Sequence, residues 1–267
     1  MNRYSARVFT GVALVACAGV FAPACAHDDS TLFIRSVQAP SATGGTCTYV
    51  ADPSQPTLFY GQLDAALSNR YEAILLVGNQ MTPQGDPVQA RTETSRIELQ
   101  YAVVRITDAY GTQLNTYTTV TAGTVDPASG STPEYTTVAV EAVDPSTVAK
   151  FLPGGTGLPS NDPPITVNGS SVQVIAYIQL FGQTLGGQNV SSNDFEFPIQ
   201  ICAGCLVQGI SNDVCAVTSS ASTEVPCNLG QDLPVSCSLC NEPYCMCGAL
   251  SCSGGANKEP NPDAGPG

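Results

Sequence analysis

From Leu32 to Ile201 apolar and polar positions fall into the pattern of β-strands separated by clusters of Gly, Pro, Asn, Asp and Ser. Phe195-Glu196-Phe197-Pro198-Ile199-Gln200-Ile201 is the cleanest case, with its large apolar residues on one parity. Pro198 cannot donate to a ladder, so this strand is expected at an edge or at a bulge. Val172–Leu180 is apolar on both parities and reads as a more central strand. Arg96–Val103 begins with one facing and continues with Val104 and Ile106 on the other, which predicts a β-bulge at Val103-Val104. Asp108-Ala109-Tyr110-Gly111 is a turn into Thr112–Thr121, and Ser68-Asn69-Arg70 separates Leu58–Ala66 from Tyr71–Asn79 as a second hairpin. With Leu32–Val37, Thr46–Ala51 and Thr136–Ala142, the pattern predicts about nine strands.

Helical periodicity is scarce. Asp144-Pro145-Ser146 opens the best candidate, with Asp as N-cap and Pro at the first helical position, and Pro153-Gly154-Gly155 stops it. Many short strands with almost no helix imply an all-β fold, an antiparallel immunoglobulin-like sandwich over residues 32–201. Three connections are long and polar: Thr82–Ser95, Ala122–Pro133 and Pro153–Ser171. Two of them meeting at one end of the sandwich would form a binding surface.

The pattern breaks at both ends of the chain. Residues 1–24 carry Arg3 and Arg7, then an apolar run over Val8–Phe21, then the small residues before Cys25: the three parts of an export signal. The run is too short to span a bilayer. Residues 25–31 form a polar linker. Residues 202–252 hold nine cysteines (Cys202, Cys205, Cys215, Cys227, Cys237, Cys240, Cys245, Cys247 and Cys252), which marks a small disulfide module. Residues 253–267, rich in Gly, Pro, Asn and Asp, are expected to be a disordered tail.

Two cysteines compete for the end of the signal. Leu14-Val15-Ala16-Cys17 has a Leu three places before its cysteine, as lipid-modified proteins do, whereas Ala22-Pro23-Ala24-Cys25 has Ala there. Parity favours Cys25 as the lipidated residue. Cleavage at Cys25 removes Cys17 and leaves ten further cysteines, an even number, for an oxidising compartment. Plain cleavage after Ala24 or Ala26, giving a secreted protein, is the alternative. Nine cysteines cannot all pair within the module, so Cys47 is the natural tenth, and its expected partner is Cys202 or Cys205. Cys202-Ala-Gly-Cys205 and Cys237-Ser-Leu-Cys240 have zinc-ligand spacing. In an exported chain the reading is structural disulfides, ahead of a zinc-stabilised module or redox exchange; neither copy precedes a helical pattern that would stabilise a thiolate.

Composition then removes chemistry. His27 is the only histidine and lies beside the export site, so the folded region has no imidazole base for a Ser-His-Asp or Cys-His system. The chain has no Trp to serve as a sugar platform, and its net charge of −13 argues against nucleic acid as a partner. Asp194 and Glu196, two apart on one strand, are the remaining catalytic option, as the carboxylate pair of a secreted hydrolase. No cofactor and no metal site are expected.

On the signal, Cys25 and the polar start at His27-Asp28-Asp29, the chain resembles the uncharacterised acidic lipoproteins of bacterial cell envelopes. The resemblance covers about thirty residues and implies location, not activity: a protein held at the outer membrane by an N-terminal lipid anchor, facing periplasm or surface. The role expected beside it is non-enzymatic, either binding an envelope partner whose identity the sequence does not give or serving structurally.

Overall fold

The computed structural model describes residues 30–43, 46–86, 88, 91–152, 155, 171–208, 210–211, 214–215 and 227–236. The chain is all-β in two main sheets. The first contains β1 (Leu32–Gln38), β4 (Thr57–Leu58), β6 (Tyr71–Asn79) and β9 (Glu134–Val143), in the order β4-β1-β6-β9. The second contains β5 (Gly61–Asp64), β7 (Ile97–Asp108), β8 (Gln113–Val125), β10 (Val172–Thr184), β11 (Asn189–Ser191) and β12 (Phe195–Cys202). Its order is β5-β12-β10-β7-β8, with β11 on the far end of β10, and it curves as a half-barrel. Short ribbons pair β2 (Ser41–Thr43) with β3 (Thr46–Thr48), β13 (Val207–Gln208) with β16 (Val235–Ser236), and β14 (Ile210–Ser211) with β15 (Val214–Cys215).

One core fills the space between the sheets. Leu32, Leu75, Val77, Val138 and Val140 from the first meet Val104, Ile106, Val174, Ile178, Phe197 and Ile201 from the second. At about 25 cal/mol per Å² of apolar surface, this burial is the main force holding the sheets together. β10 buries every second residue from Val172 to Thr184 and lies between β12 and β7, the central position its sequence predicts. β12 turns Phe197, Ile199 and Ile201 inward and leaves Pro198 just before the stretch that pairs with β5.

Three expectations need correction. The ladder slips between Leu99 and Tyr101, not at Val103-Val104. Ala102 takes the inward place, and Tyr101 goes outward to stack on Phe181 at 4.8 Å. Leu58–Ala66 is not one strand, and it forms no hairpin with Tyr71–Asn79. The chain bends at Phe59-Tyr60 and crosses from the first sheet to the second, so that β5 pairs in parallel with β12. Gly61 permits the crossing: a Cβ there would lie 2.6 Å from the Tyr71 ring. The second sheet is therefore not wholly antiparallel.

Local signals that were legible are realised. Helix α1 (Pro145–Phe151) has Asp144 as N-cap, accepting from Ser146 and Thr147 N–H, with Pro at its first turn. Asp108 accepts from Tyr110 and Thr112 N–H, and Gly111 takes φ +87° to close the turn. Further hydrogen bonds engage the edge strands β8, β9 and β5. Tyr117 Oη and Thr121 Oγ1 donate to the Glu141 and Ala139 carbonyls of β9. Residues 230–232 lie along β5, with Asp64 N–H donating to Gly230 O and Asp232 N–H to Gln62 O.

Candidate functional site

Two of the three long connections do meet, at the end of the domain where β6, β8 and β10 finish and β7 begins. Asn79, fully buried, organises this end. Its Nδ2 donates to Ser95 O (3.0 Å) and Val125 O (3.3 Å), and its Oδ1 accepts from Met81 N–H (2.9 Å). Ala128 N–H donates to Met81 O (2.9 Å), which joins the 126–133 loop to the base of the 82–95 loop. Glu93 folds the larger loop back on itself, accepting from Gln84, Gly85 and Ser95 N–H at 3.1, 2.9 and 2.6 Å. Partial desolvation would raise the Glu93 pKa, but these N–H donors outweigh it and hold the carboxyl below its usual range. The β10–β11 turn docks alongside, with Gly186 N–H on Thr94 O (3.0 Å).

The 82–95 loop, the β10–β11 turn and the residues next to β1 and β6 border a cleft of about 720 Å³ lined by Thr31, Gln80, Gln84, Thr94, Ser95, Thr184 and Gln188, with Met81 as its apolar patch; the 126–133 loop contributes no lining residue. No lining residue is ionisable. Hydroxyls and amides present both donors and acceptors without charge, a set that suits an uncharged polar ligand and supplies no nucleophile with its base. The third connection, Pro153–Ser171, lies almost wholly outside the described residues.

The opposite end is tied by sulfur and carboxylate. Cys47 is bonded to a cysteine of the 202–252 segment, but the partner is Cys227, with Cα atoms 5.5 Å apart. Cys202 and Cys205 are bonded to each other, and so neither is available to Cys47. Cys215 lies in β15; the pairing expected of Cys237, Cys240, Cys245, Cys247 and Cys252 falls on residues outside those described, as does lipidation at Cys25.

Two carboxylates absent from the sequence reading carry this corner. Asp64, fully buried, accepts from Ala66 N–H (3.0 Å) and Gly204 N–H (2.7 Å) on Oδ1 and from Leu206 N–H (2.9 Å) on Oδ2. Asp232 accepts from Gln62 N–H and Tyr71 Oη, each at 2.8 Å. Burial pushes the Asp232 carboxyl above its usual range, against the lowering effect of those two hydrogen bonds. Tyr71, buried beside it, is raised as well, mainly by desolvation and then by the Asp232 charge. A local hint existed for Asp64, which opens the turn at 64–68 with Leu67 and Ser68 N–H on its carbonyl. No such hint existed for Asp232.

An oxygen of Asp64 and the sulfurs of Cys202 and Cys205 lie within 4.8 Å of one another. With the sulfurs joined to each other, no thiolate is offered to a metal there. Asp194 is bound to Arg105 (3.2 Å), which itself lies 4.0 Å over the Tyr177 ring, and Glu196 is exposed. Neither lines the cleft. Compared with known proteins, the chain matches no protein-family model and no curated protein.

Proposed function

We propose that the chain is an exported cell-envelope protein, lipid-anchored to the outer membrane at Cys25, whose immunoglobulin-like sandwich binds a partner without transforming it. The observation that carries the binding role is the uncharged polar cleft built where the 82–95 loop meets the β10–β11 turn. A rigid two-sheet scaffold that presents connecting loops at one end is a common way to hold a recognition surface. Its lining suits hydrogen bonding to a neutral polar partner, and the nearest carboxylate, Glu93, is engaged by backbone N–H groups. The two disulfides agree with an oxidising location, and the acidic surface disfavours nucleic acid.

The binding role is tested by thermal shift against a panel of neutral oligosaccharides and uncharged polar peptides. A ligand that uses the cleft raises the Tm of the wild type and leaves Thr94→Trp, which fills the cleft, unmoved. Equal stabilisation of both proteins, or of neither by any compound, contradicts the assignment. The anchor is tested by intact mass of protein from its own host. A chain starting at Cys25 with an added acylglyceryl group is expected; an unmodified mass would mean secretion.

A further inference from the structure

The Cys202–Cys205 corner has the asymmetry of an exchanging pair. Cys202 is buried at the end of β12, whereas Cys205 is exposed in the following turn. Gln62 Nε2 lies 3.7 Å from Cys205 Sγ and points a donor at that sulfur. Cys202 Sγ lies 3.4 Å from the Leu63 carbonyl oxygen, an acceptor for a thiol proton. The Asp64 carboxylate lies within 4.8 Å of both sulfurs and so does not distinguish them; burial of Cys202 and the Gln62 donor at Cys205 do. After reduction, then, the geometry holds Cys205 as the sulfur that carries negative charge and Cys202 as the neutral thiol.

The turn does not depend on the bridge. Asp64 holds Gly204 and Leu206 through backbone N–H bonds that involve no sulfur, and Leu206 O accepts from Val235 N–H at 2.8 Å. Opening the disulfide leaves both thiols on the same short, anchored turn, ready to close again.

We infer that Cys202–Cys205 is a reversible redox couple that exchanges with external thiols and disulfides through Cys205. In the reducing direction a thiolate attacks Cys205 Sγ. The mixed disulfide forms, the Cys202–Cys205 bond breaks, and Cys202 leaves with the electron pair and takes a proton from solvent. A second thiol attacks the external sulfur of the mixed disulfide, releasing Cys205. In sum, two thiols become one disulfide, and the bridge gains two electrons and two protons. An external disulfide runs the sequence backward.

The test equilibrates the full chain in glutathione buffers of graded reduced-to-oxidised ratio, quenches by alkylation, and reads each cysteine by peptide mass while circular dichroism follows the fold. The expected result is reversible opening of Cys202–Cys205 in folded protein, with the glutathione adduct on Cys205 and none on Cys202. Cys202→Ser, lacking the resolving sulfur, should accumulate that adduct; Cys205→Ser should lose it. A pair that stays closed at every ratio, that opens only as the fold is lost, or that carries the adduct on Cys202 overturns the inference. The wild-type titration decides the matter even if a variant fails to fold.

Discussion

The two ends of the domain use the same device to different effect. At one end Glu93 gathers three backbone N–H groups of the 82–95 loop; at the other Asp64 gathers three from the 64–66 and 204–206 turns. Glu93 is only partly buried and sits beside an open cleft of about 720 Å³. Asp64 is fully buried, and the cavity at its end, between Tyr71, Gln38 and Asp232, measures about 10 Å³, room for a single water. Water can replace the Glu93 carboxylate but cannot reach Asp64. Identical hydrogen-bond counts therefore carry different weight, and the end that water can enter is the one free to meet a ligand.

The sharpest way to break this comparison is to truncate both acids. Asp64→Ala leaves three N–H groups in a dry site, at roughly 1–3 kcal/mol each, and should destabilise the protein by about 3 kcal/mol or more in urea unfolding. Glu93→Ala should cost only about 1 kcal/mol, because solvent takes over the freed donors. Equal losses would mean that burial does not set the difference. An effect between these two is expected from Tyr71→Phe, which removes one donor from the Asp232 carboxylate and should cost roughly 1.5–3 kcal/mol where that group is charged. Asp144→Ala, which deletes the N-cap of α1, should cost about 1 kcal/mol.

Titration should separate the two ends by sign. Asp232 has its folded pKa raised, so it binds a proton more tightly in the native state. Its contribution is fully present below the unfolded carboxyl pKa of about 3.9 and is lost as pH rises through the folded value. Glu93 is lowered, so its contribution is present above its unfolded pKa and is lost as pH falls through the folded value. The stability of wild type relative to Asp232→Asn should thus decline with rising pH, and that relative to Glu93→Gln should increase. Parallel slopes would contradict the assignments.

What the sequence disclosed divides along the same line. Signals within a few residues were legible: the bounds of β6, the Asp144-Pro145 helix start, the Asp108–Gly111 turn. The inward face of β12 followed from its alternation. The bulge was misplaced because Ala102 is too small to announce which face it belongs to, while the aromatic Tyr101 pairs outward with Phe181. The crossing at Gly61 was missed because its cause, the Tyr71 ring, arrives from another strand. Parity indicated that Cys47 reaches into the cysteine-rich segment, but choosing Cys227 requires knowing that residues 228–232 run back along β5. Asp64 and Asp232 bind partners about 140 and 170 residues away, and nothing local records such bonds. The cleft was half legible: the 82–95 loop was visible as a long polar connection, whereas its meeting with the β10–β11 turn was not.

Native-state amide hydrogen exchange on the unmodified protein tests the contrast most directly. The N–H groups of Ala66, Gly204 and Leu206 should exchange only through large-scale unfolding, whereas those of Gln84, Gly85 and Ser95 should exchange through local opening at much lower free energy. Matching protection at the two carboxylates would contradict the account of one closed end and one end open for recognition.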